Sequence, residues 1–125
     1  MINRSNWKLT EKYLEYRVEV DQLAESSVKV EKRSLRHLLD WMQETPFKKA
    51  RHVRPTFPKY MLTARRDGED GRLSSEYIRK VIGITRGFFD WLSRHRSGYR
   101  KLGGPWLDTL RAPKMVEKPS EHEAV

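Results

Sequence analysis

Two segments of this chain repeat one helical pattern, and this pattern constrains the fold more than any other feature of the sequence. The first segment runs from Ser26 to Met42 and the second from Ser74 to Leu92, and each ends in an Asp-Trp pair within an apolar stretch. Apolar residues recur in both segments at steps of three and four, which is the period of one buried face of an α-helix. The serine pair at each start can accept hydrogen bonds from free first-turn N–H groups. The sequence therefore predicts two capped, amphipathic helices.

The apolar stripe of each segment indicates which side chains face solvent. The predicted core positions are Leu35, Leu38, Leu39 and Met42 in the first segment and Ile78, Val81, Ile82, Thr85, Phe88, Phe89 and Leu92 in the second. Cations occupy the opposite faces, at about one per helical turn. These cations are Lys29, Lys32, Arg33 and Arg36 in the first segment and Arg79, Lys80 and Arg86 in the second. They form a candidate binding site for an acidic ligand.

The remaining patterns are also helical, and none indicates a strand. Residues 9–24 have an irregular apolar face and Thr10 as the predicted cap, and a short helix over residues 57–66 follows Thr56. The two main helices are predicted at residues 27–44 and 75–95, a basic loop at 48–55, an acidic turn at 67–71 and a last helical turn at 106–110. These elements predict an all-α fold, a small bundle of four to five helices.

Four aromatic side chains and two glycines bear on how this bundle packs. Trp41, Phe88, Phe89 and Trp91 follow the apolar stripes rather than alternate with the cations, so we expect them in the core. Gly83 and Gly87 lie one turn apart, and a glycine inside a helix costs about 1 kcal/mol, which implies a steric reason for it. Close packing against another helix is the expected reason, and close approach of DNA is the alternative.

The distribution of charge favours a phosphate-rich partner. The chain has 125 residues, enough for one domain, with 37% hydrophobic and 34% charged residues. Its net charge is +9, made up of about +11 over residues 27–101 and close to −1 on each flank. Cations spread evenly over a generic solvated surface would mostly be neutralised by neighbouring acids, whereas this concentration suits an anionic ligand.

Catalytic, metal and membrane-spanning motifs are not found. The four histidines, His37, His52, His95 and His122, lie in separate segments without a second ligand at metal-binding spacing. The chain has no cysteine, and its seven glycines form no phosphate loop. No apolar run approaches the roughly 20 residues that cross a bilayer. We expect a cytoplasmic protein without metal, cofactor or membrane contact.

A family resemblance rests on the order of several short motifs. Trp7 lies near the first helix, the second pattern ends in Leu-Arg-His-Leu-Leu-Asp-Trp, Tyr77-Ile78 leads to Phe-Phe-Asp-Trp-Leu, and Ala112-Pro113-Lys114 follows. From Asn6 to Lys114 this order resembles the core-binding domain of tyrosine recombinases, the phage integrase family. The resemblance implies a SAM-like helical domain over residues 1–114 that forms half of a clamp around duplex DNA. It also implies that residues 115–125 begin a linker to a C-terminal catalytic domain.

The resemblance implies roles for the candidate cations. The second and fourth helices would face the major groove, so that Lys29, Lys32, Arg33, Arg36, Arg79, Lys80 and Arg86 would contact double-stranded DNA. Most would bind phosphates, and Arg33, Arg36 and Arg79 are the candidates for base edges, because base reading needs a fixed bidentate donor. Val28 stands where the family often has threonine, so one hydroxyl contact to phosphate is not expected.

The resemblance also limits the chemistry expected of this chain. The family cuts DNA with a tyrosine nucleophile and a His-x-x-Arg motif in the catalytic domain, and no histidine of this chain has Arg three positions later. We therefore expect this chain to be a binding domain and not an enzyme, within a parent recombinase that integrates or recombines DNA. Its partners would be the catalytic domain of the same polypeptide and other recombinase subunits on DNA. Two alternatives remain open: a free-standing helical nucleic-acid-binding domain, and a protein-interaction module with an acidic partner.

Overall fold

The computed structural model describes residues 1–64 and 71–114, in which the chain forms four α-helices and three 3₁₀ helices. The α-helices are α1 (Arg4–Glu19), α2 (Glu25–Met42), α3 (Phe57–Met61) and α4 (Ser75–His95). The 3₁₀ helices cover Phe47–His52, Arg100–Leu102 and Gly104–Thr109. No strand occurs in these two stretches. The predicted all-α class is therefore confirmed, and the start and end of α4 agree with the predicted range.

The core lies where α4 packs against α2, with α1 beside both helices. Every predicted core position of the two amphipathic helices is buried, including the Thr85 side chain. The ring of Phe47 lies 5.1 Å from that of Phe88 and 5.6 Å from that of Phe89, measured between centroids. Phe47 comes from the 3₁₀ helix after α2, so its ring packs this segment against α4. Trp41 and Trp91 are also buried, as expected.

The first helix begins and ends five residues earlier than predicted. α1 begins at Arg4 rather than residue 9 and ends at Glu19 rather than residue 24. Its N-cap is Asn3, whose side-chain oxygen accepts a hydrogen bond from the N–H of Asn6 at 3.0 Å. Thr10, the predicted cap, is buried inside the helix and donates its hydroxyl to the carbonyl of Trp7.

α1 and α2 form an antiparallel hairpin. Near the start of α1, the N–H of Asn3 donates to the carbonyl of Gln43 at 2.9 Å, just beyond the end of α2. Near the end of α1, Arg17 contacts Glu31 in the first half of α2. Both ends of the hairpin are thus fastened by polar contacts between residues that are distant in sequence.

The serine pair before α2 does not cap it, contrary to prediction. The helix begins at Glu25 with Ala24 as N-cap, and no side chain provides a capping hydrogen bond there. Both serines therefore lie inside the first turn. The helix ends at Met42, because Gln43 adopts a left-handed conformation with φ of 49°, before the proline that was expected to stop it.

The caps of α3 and α4 differ. Ser74 caps α4 as predicted, since its hydroxyl oxygen accepts a hydrogen bond from the N–H of Tyr77 at 3.2 Å. Thr56 occupies the N-cap position of α3 but makes no side-chain capping bond. α3 ends at Met61, short of residue 66. Residues 65 and 66, most of the predicted acidic turn and the segment 115–125 lie outside the described residues.

The predicted basic loop and the predicted last helical turn both lie largely in 3₁₀ helices. Most of the expected loop at 48–55 is the 3₁₀ helix Phe47–His52, and the expected turn at 106–110 is the 3₁₀ helix Gly104–Thr109. Trp106 packs edge to face on Phe89, with ring centroids 5.0 Å apart. The chain after α4 therefore folds back along the side of that helix.

Candidate nucleic-acid interface

The outer face of α2 carries the four cations that its periodicity placed there. Lys29, Lys32, Arg33 and Arg36 are all exposed. Lys32 is 3.8 Å from Glu11 on α1, and Arg36 is 3.2 Å from Asp40 one turn along the same helix. Within residues 1–64 and 71–114, Lys29 and Arg33 have no acidic side chain within ion-pair distance. Two of the four cations are therefore uncompensated by the described residues.

The three cations assigned to α4 do not form one group. Arg79 and Lys80 are exposed and form no ion pair with any described residue. Arg86 is half-buried: its guanidinium lies 3.9 Å from Asp108 and 3.5 Å from the carbonyl of Leu110. Arg86 thus fastens the last 3₁₀ helix to α4, a role that could not be predicted from the sequence because Asp108 lies far along the chain.

The start of α4 meets α2 through a polar aromatic contact. His37 Nε2 lies 3.1 Å from the Tyr77 hydroxyl, and the two rings meet edge to face at 5.7 Å. Arg33 precedes His37 by one helical turn, and Lys80 follows Tyr77 by one turn. The contact joins the second half of α2 to the first turn of α4, and Arg33 and Lys80 each lie about one helical turn from it. Neither ring was assigned to this junction from the sequence, since the residues are distant along the chain.

The two glycines of α4 have different environments. A Cβ atom added at Gly87 would lie 3.0 Å from the hydroxyl of Tyr13, so this position serves close packing against α1 as expected. A Cβ atom added at Gly83 would meet nothing within 4 Å. For Gly83 the helix-packing prediction was wrong. This glycine lies one turn beyond Arg79 on an open part of the helix surface.

Buried polar groups of α1 and α2 are neutral or neutralised. The Arg17 guanidinium donates to both carboxylate oxygens of Glu31, at 3.0 and 2.7 Å. These bonds, and a further one to Asp21, raise the pKa of Arg17 above its ordinary value. Burial raises the pKa of Tyr13 to about 12, so its phenol is uncharged at neutral pH. The negative charge of Glu31 is therefore matched between the helices and does not offset the outer cations.

We use the name α2/α4 face for the basic face of α2 and the start of α4. Its four cations that form no ion pair with a described residue are Lys29, Arg33, Arg79 and Lys80. The described residues hold no group of three or more His, Cys, Asp or Glu side chains that could bind a metal ion. None of the helices in the described stretches is long and apolar enough to cross a membrane.

No family model, curated protein or solved structure matches the chain.

Proposed function

We propose that the chain binds duplex DNA through the α2/α4 face, as the DNA-clamping core-binding domain of a tyrosine recombinase. The observation that carries the proposal is the set of cations that have no acidic partner within residues 1–64 and 71–114, on two helices that pack directly together. A surface that serves only solubility mixes both signs of charge, so that most cations have acidic neighbours. Unpaired cations on adjacent helices instead keep a positive potential that attracts phosphate.

The dimensions of the face suit a duplex. α2 has 18 residues, or about 27 Å at 1.5 Å per residue, and an α-helix fits the major groove of B-form DNA. The open surface at Gly83 would let a sugar-phosphate backbone approach α4 more closely than a side chain there permits. A closer approach shortens the distance from Arg79 and Lys80 to the phosphates and so strengthens both contacts.

Arg36 is the best candidate for reading a base. Its Nε donates to Asp40 at 3.2 Å, which holds the guanidinium in one orientation and leaves both terminal nitrogens free of described acidic partners. A guanidinium held in this way can donate two parallel hydrogen bonds to a guanine edge. Lys29 and Lys80 are flexible point charges, and no described carboxylate holds Arg33 or Arg79 in one orientation. We therefore assign these four cations to phosphates.

The salt dependence of DNA binding tests this assignment. We expect log affinity to fall linearly with log salt, and the slope to decrease by about one unit for each phosphate contact removed. Lys29→Gln, Arg33→Gln, Arg79→Gln and Lys80→Gln should therefore each reduce the slope, and the quadruple variant should reduce it by about three to four units. Fluorescence anisotropy of a labelled duplex at roughly 50 to 200 mM salt measures these slopes.

Lys12→Gln is the matched control, because Lys12 is an exposed lysine of α1 that lies 3.5 Å from Glu15. It should leave the slope unchanged. An unchanged slope in the quadruple variant would exclude the α2/α4 face as the binding surface. Equal affinity for B-form DNA and for an A-form RNA duplex would exclude major-groove docking, because the major groove of A-form RNA is too narrow for side chains to read.

Gly83→Ala should separate stability from binding. Alanine has a higher helix propensity, and the added methyl group meets no described atom, so the free energy of unfolding should rise by about 0.5 to 1 kcal/mol. DNA affinity should fall, because the methyl group keeps the sugar-phosphate backbone of the DNA away from α4. Urea denaturation and anisotropy measure the two effects on one sample.

Gly87→Ala is the comparison for Gly83→Ala. Its methyl group would approach the Tyr13 hydroxyl at 3.0 Å, so the variant should gain less stability than Gly83→Ala and should keep its DNA affinity. If Gly83→Ala bound DNA as tightly as the unmodified chain, the close approach to α4 would be refuted.

A further inference from the structure

A second basic surface lies at the opposite end of α4, outside the α2/α4 face. A groove of about 570 Å³ opens there between α4, the 3₁₀ helix Phe47–His52 and the chain that follows α4. Its walls carry Arg51, Arg94, Arg100, Lys101 and Trp106. The cations come from three different elements, so no single helical period could have predicted the groove.

The charge of the groove is only partly compensated. Asp90 is the single acid among the lining residues, and it binds Arg94 at 2.7 Å. Arg51, Arg100 and Lys101 have no ion-pair partner in the part of the chain that the structure describes. The groove therefore holds three uncompensated positive charges around one space, which is the arrangement that an anionic ligand neutralises most effectively.

The walls of the groove are fixed by core packing. A Cβ atom added at Gly103 would lie 2.5 Å from the Ser93 hydroxyl oxygen, so only glycine lets the chain lie this close to α4. Leu102, next to it, is buried. On the far wall, the Trp106 ring is held edge to face against Phe89. Arg100 and Lys101 are therefore presented by a segment that is anchored on both sides.

The groove and the α2/α4 face share one side of α4. Arg79 and Arg94 are fifteen positions apart, which is close to four whole turns, so both project from the same side of the helix. The distance along the axis is about 22 Å at 1.5 Å per residue. A ligand that lies along α4 can reach both surfaces.

We propose that this groove binds backbone phosphates of the same nucleic acid, as a second contact surface that rests on the proposed DNA binding. The three unpaired cations neutralise phosphodiester oxygens, and Trp106 supplies an apolar wall against the sugar. The ligand class is a phosphodiester chain, because the cations line an open groove that a continuous strand can enter and leave.

Acetylation of lysines tests both surfaces in one experiment. The chain is treated with an amine-reactive acetyl ester, with and without a duplex of about 20 base pairs, and the modification of each lysine is measured by mass spectrometry. Lys101 should be protected by DNA at least threefold, as should Lys29 and Lys80 on the α2/α4 face. Lys12, beside Glu15, should react equally in both samples. Protection of Lys29 and Lys80 without Lys101 would overturn the groove and leave the proposed function standing.

The triple variant Arg51→Gln, Arg100→Gln, Lys101→Gln provides the second measurement. Its salt slope should be smaller by about three units than that of the unmodified chain, with an unchanged midpoint of urea unfolding. An unchanged slope would refute the groove. A reduced slope here, together with no effect of the α2/α4 substitutions, would keep the groove and refute the assignment of the main face. No duplex binding at low salt by the unmodified chain would refute both.

Discussion

Arg17→Met should lower the free energy of unfolding by about 3 kcal/mol, because it leaves the carboxylate of Glu31 buried without a counter-charge. The Glu31 side chain is only 11% exposed, and Arg17 satisfies both of its oxygens. Removing one partner of a buried ion pair typically costs about 3 to 5 kcal/mol, and the partial exposure of Arg17 places this pair at the lower end. Urea denaturation at neutral pH measures the change.

The double variant Arg17→Met/Glu31→Leu separates the buried charge from general damage to the hairpin. With both charges replaced by apolar side chains, most of the lost stability should return, since an apolar pair of similar volume can replace a buried ion pair without net cost. Lys12→Gln removes an exposed ion pair, with both side chains about 60% exposed, and should change stability by less than about 0.5 kcal/mol. If the double variant were as unstable as Arg17→Met, the unpaired charge would not be the cause.

Asn6→Ala should lower the free energy of unfolding by about 2 to 4 kcal/mol. The Asn6 side chain is 1% exposed and fastens α1 to the turn after α2. Its amide nitrogen donates to the carbonyl of Thr45 at 2.8 Å, and its oxygen accepts from the N–H of Phe47 at 3.0 Å. Alanine leaves both backbone groups without this partner, and each buried unsatisfied group costs about 1 to 3 kcal/mol. Chemical denaturation measures the loss.

Asn3→Ala is the graded comparison for Asn6→Ala. Asn3 also makes two side-chain hydrogen bonds, one to the N–H of Asn6 and one to the carbonyl of Glu44, but the latter is exposed to solvent. Loss of an N-cap costs about 1 kcal/mol. Hydrogen exchange adds a local measurement, because the amide of Phe47 should exchange faster in Asn6→Ala than in Asn3→Ala. A smaller stability loss in Asn6→Ala than in Asn3→Ala would contradict the proposed clamp.

The two long helices could be predicted from the sequence because their burial pattern is local. In α4 each apolar position from Ile78 to Leu92 repeats with the helical period, and Ser74 accepts from a backbone N–H only three residues away. The start of α1 could not be predicted in this way. Asn3 is held by the backbone of Gln43 and Glu44, about forty residues away, and no local pattern reports that contact.

The sequence predicted which cations of the candidate site face solvent. It did not predict which of them form ion pairs. Lys29, Arg33, Arg79 and Lys80 form no ion pair with any described residue. Arg86 was predicted from the same helical period as Arg79 and Lys80, but its guanidinium contacts Asp108 and the carbonyl of Leu110. Which cations are free for a ligand depends on tertiary neighbours, and the same holds for the groove at the end of α4.

The length of α4 sets a minimum size for a ligand that uses the whole molecule. Because α4 is one continuous helix, Arg79 and Arg94 lie about 22 Å apart along its axis. A duplex rises about 3.4 Å per base pair, so fragments shorter than roughly six base pairs cannot extend from Arg79 to Arg94. A longer duplex that has bound one basic surface is held at a high effective concentration near the other basic surface. The affinity of the protein for this duplex then exceeds the affinity of either surface alone.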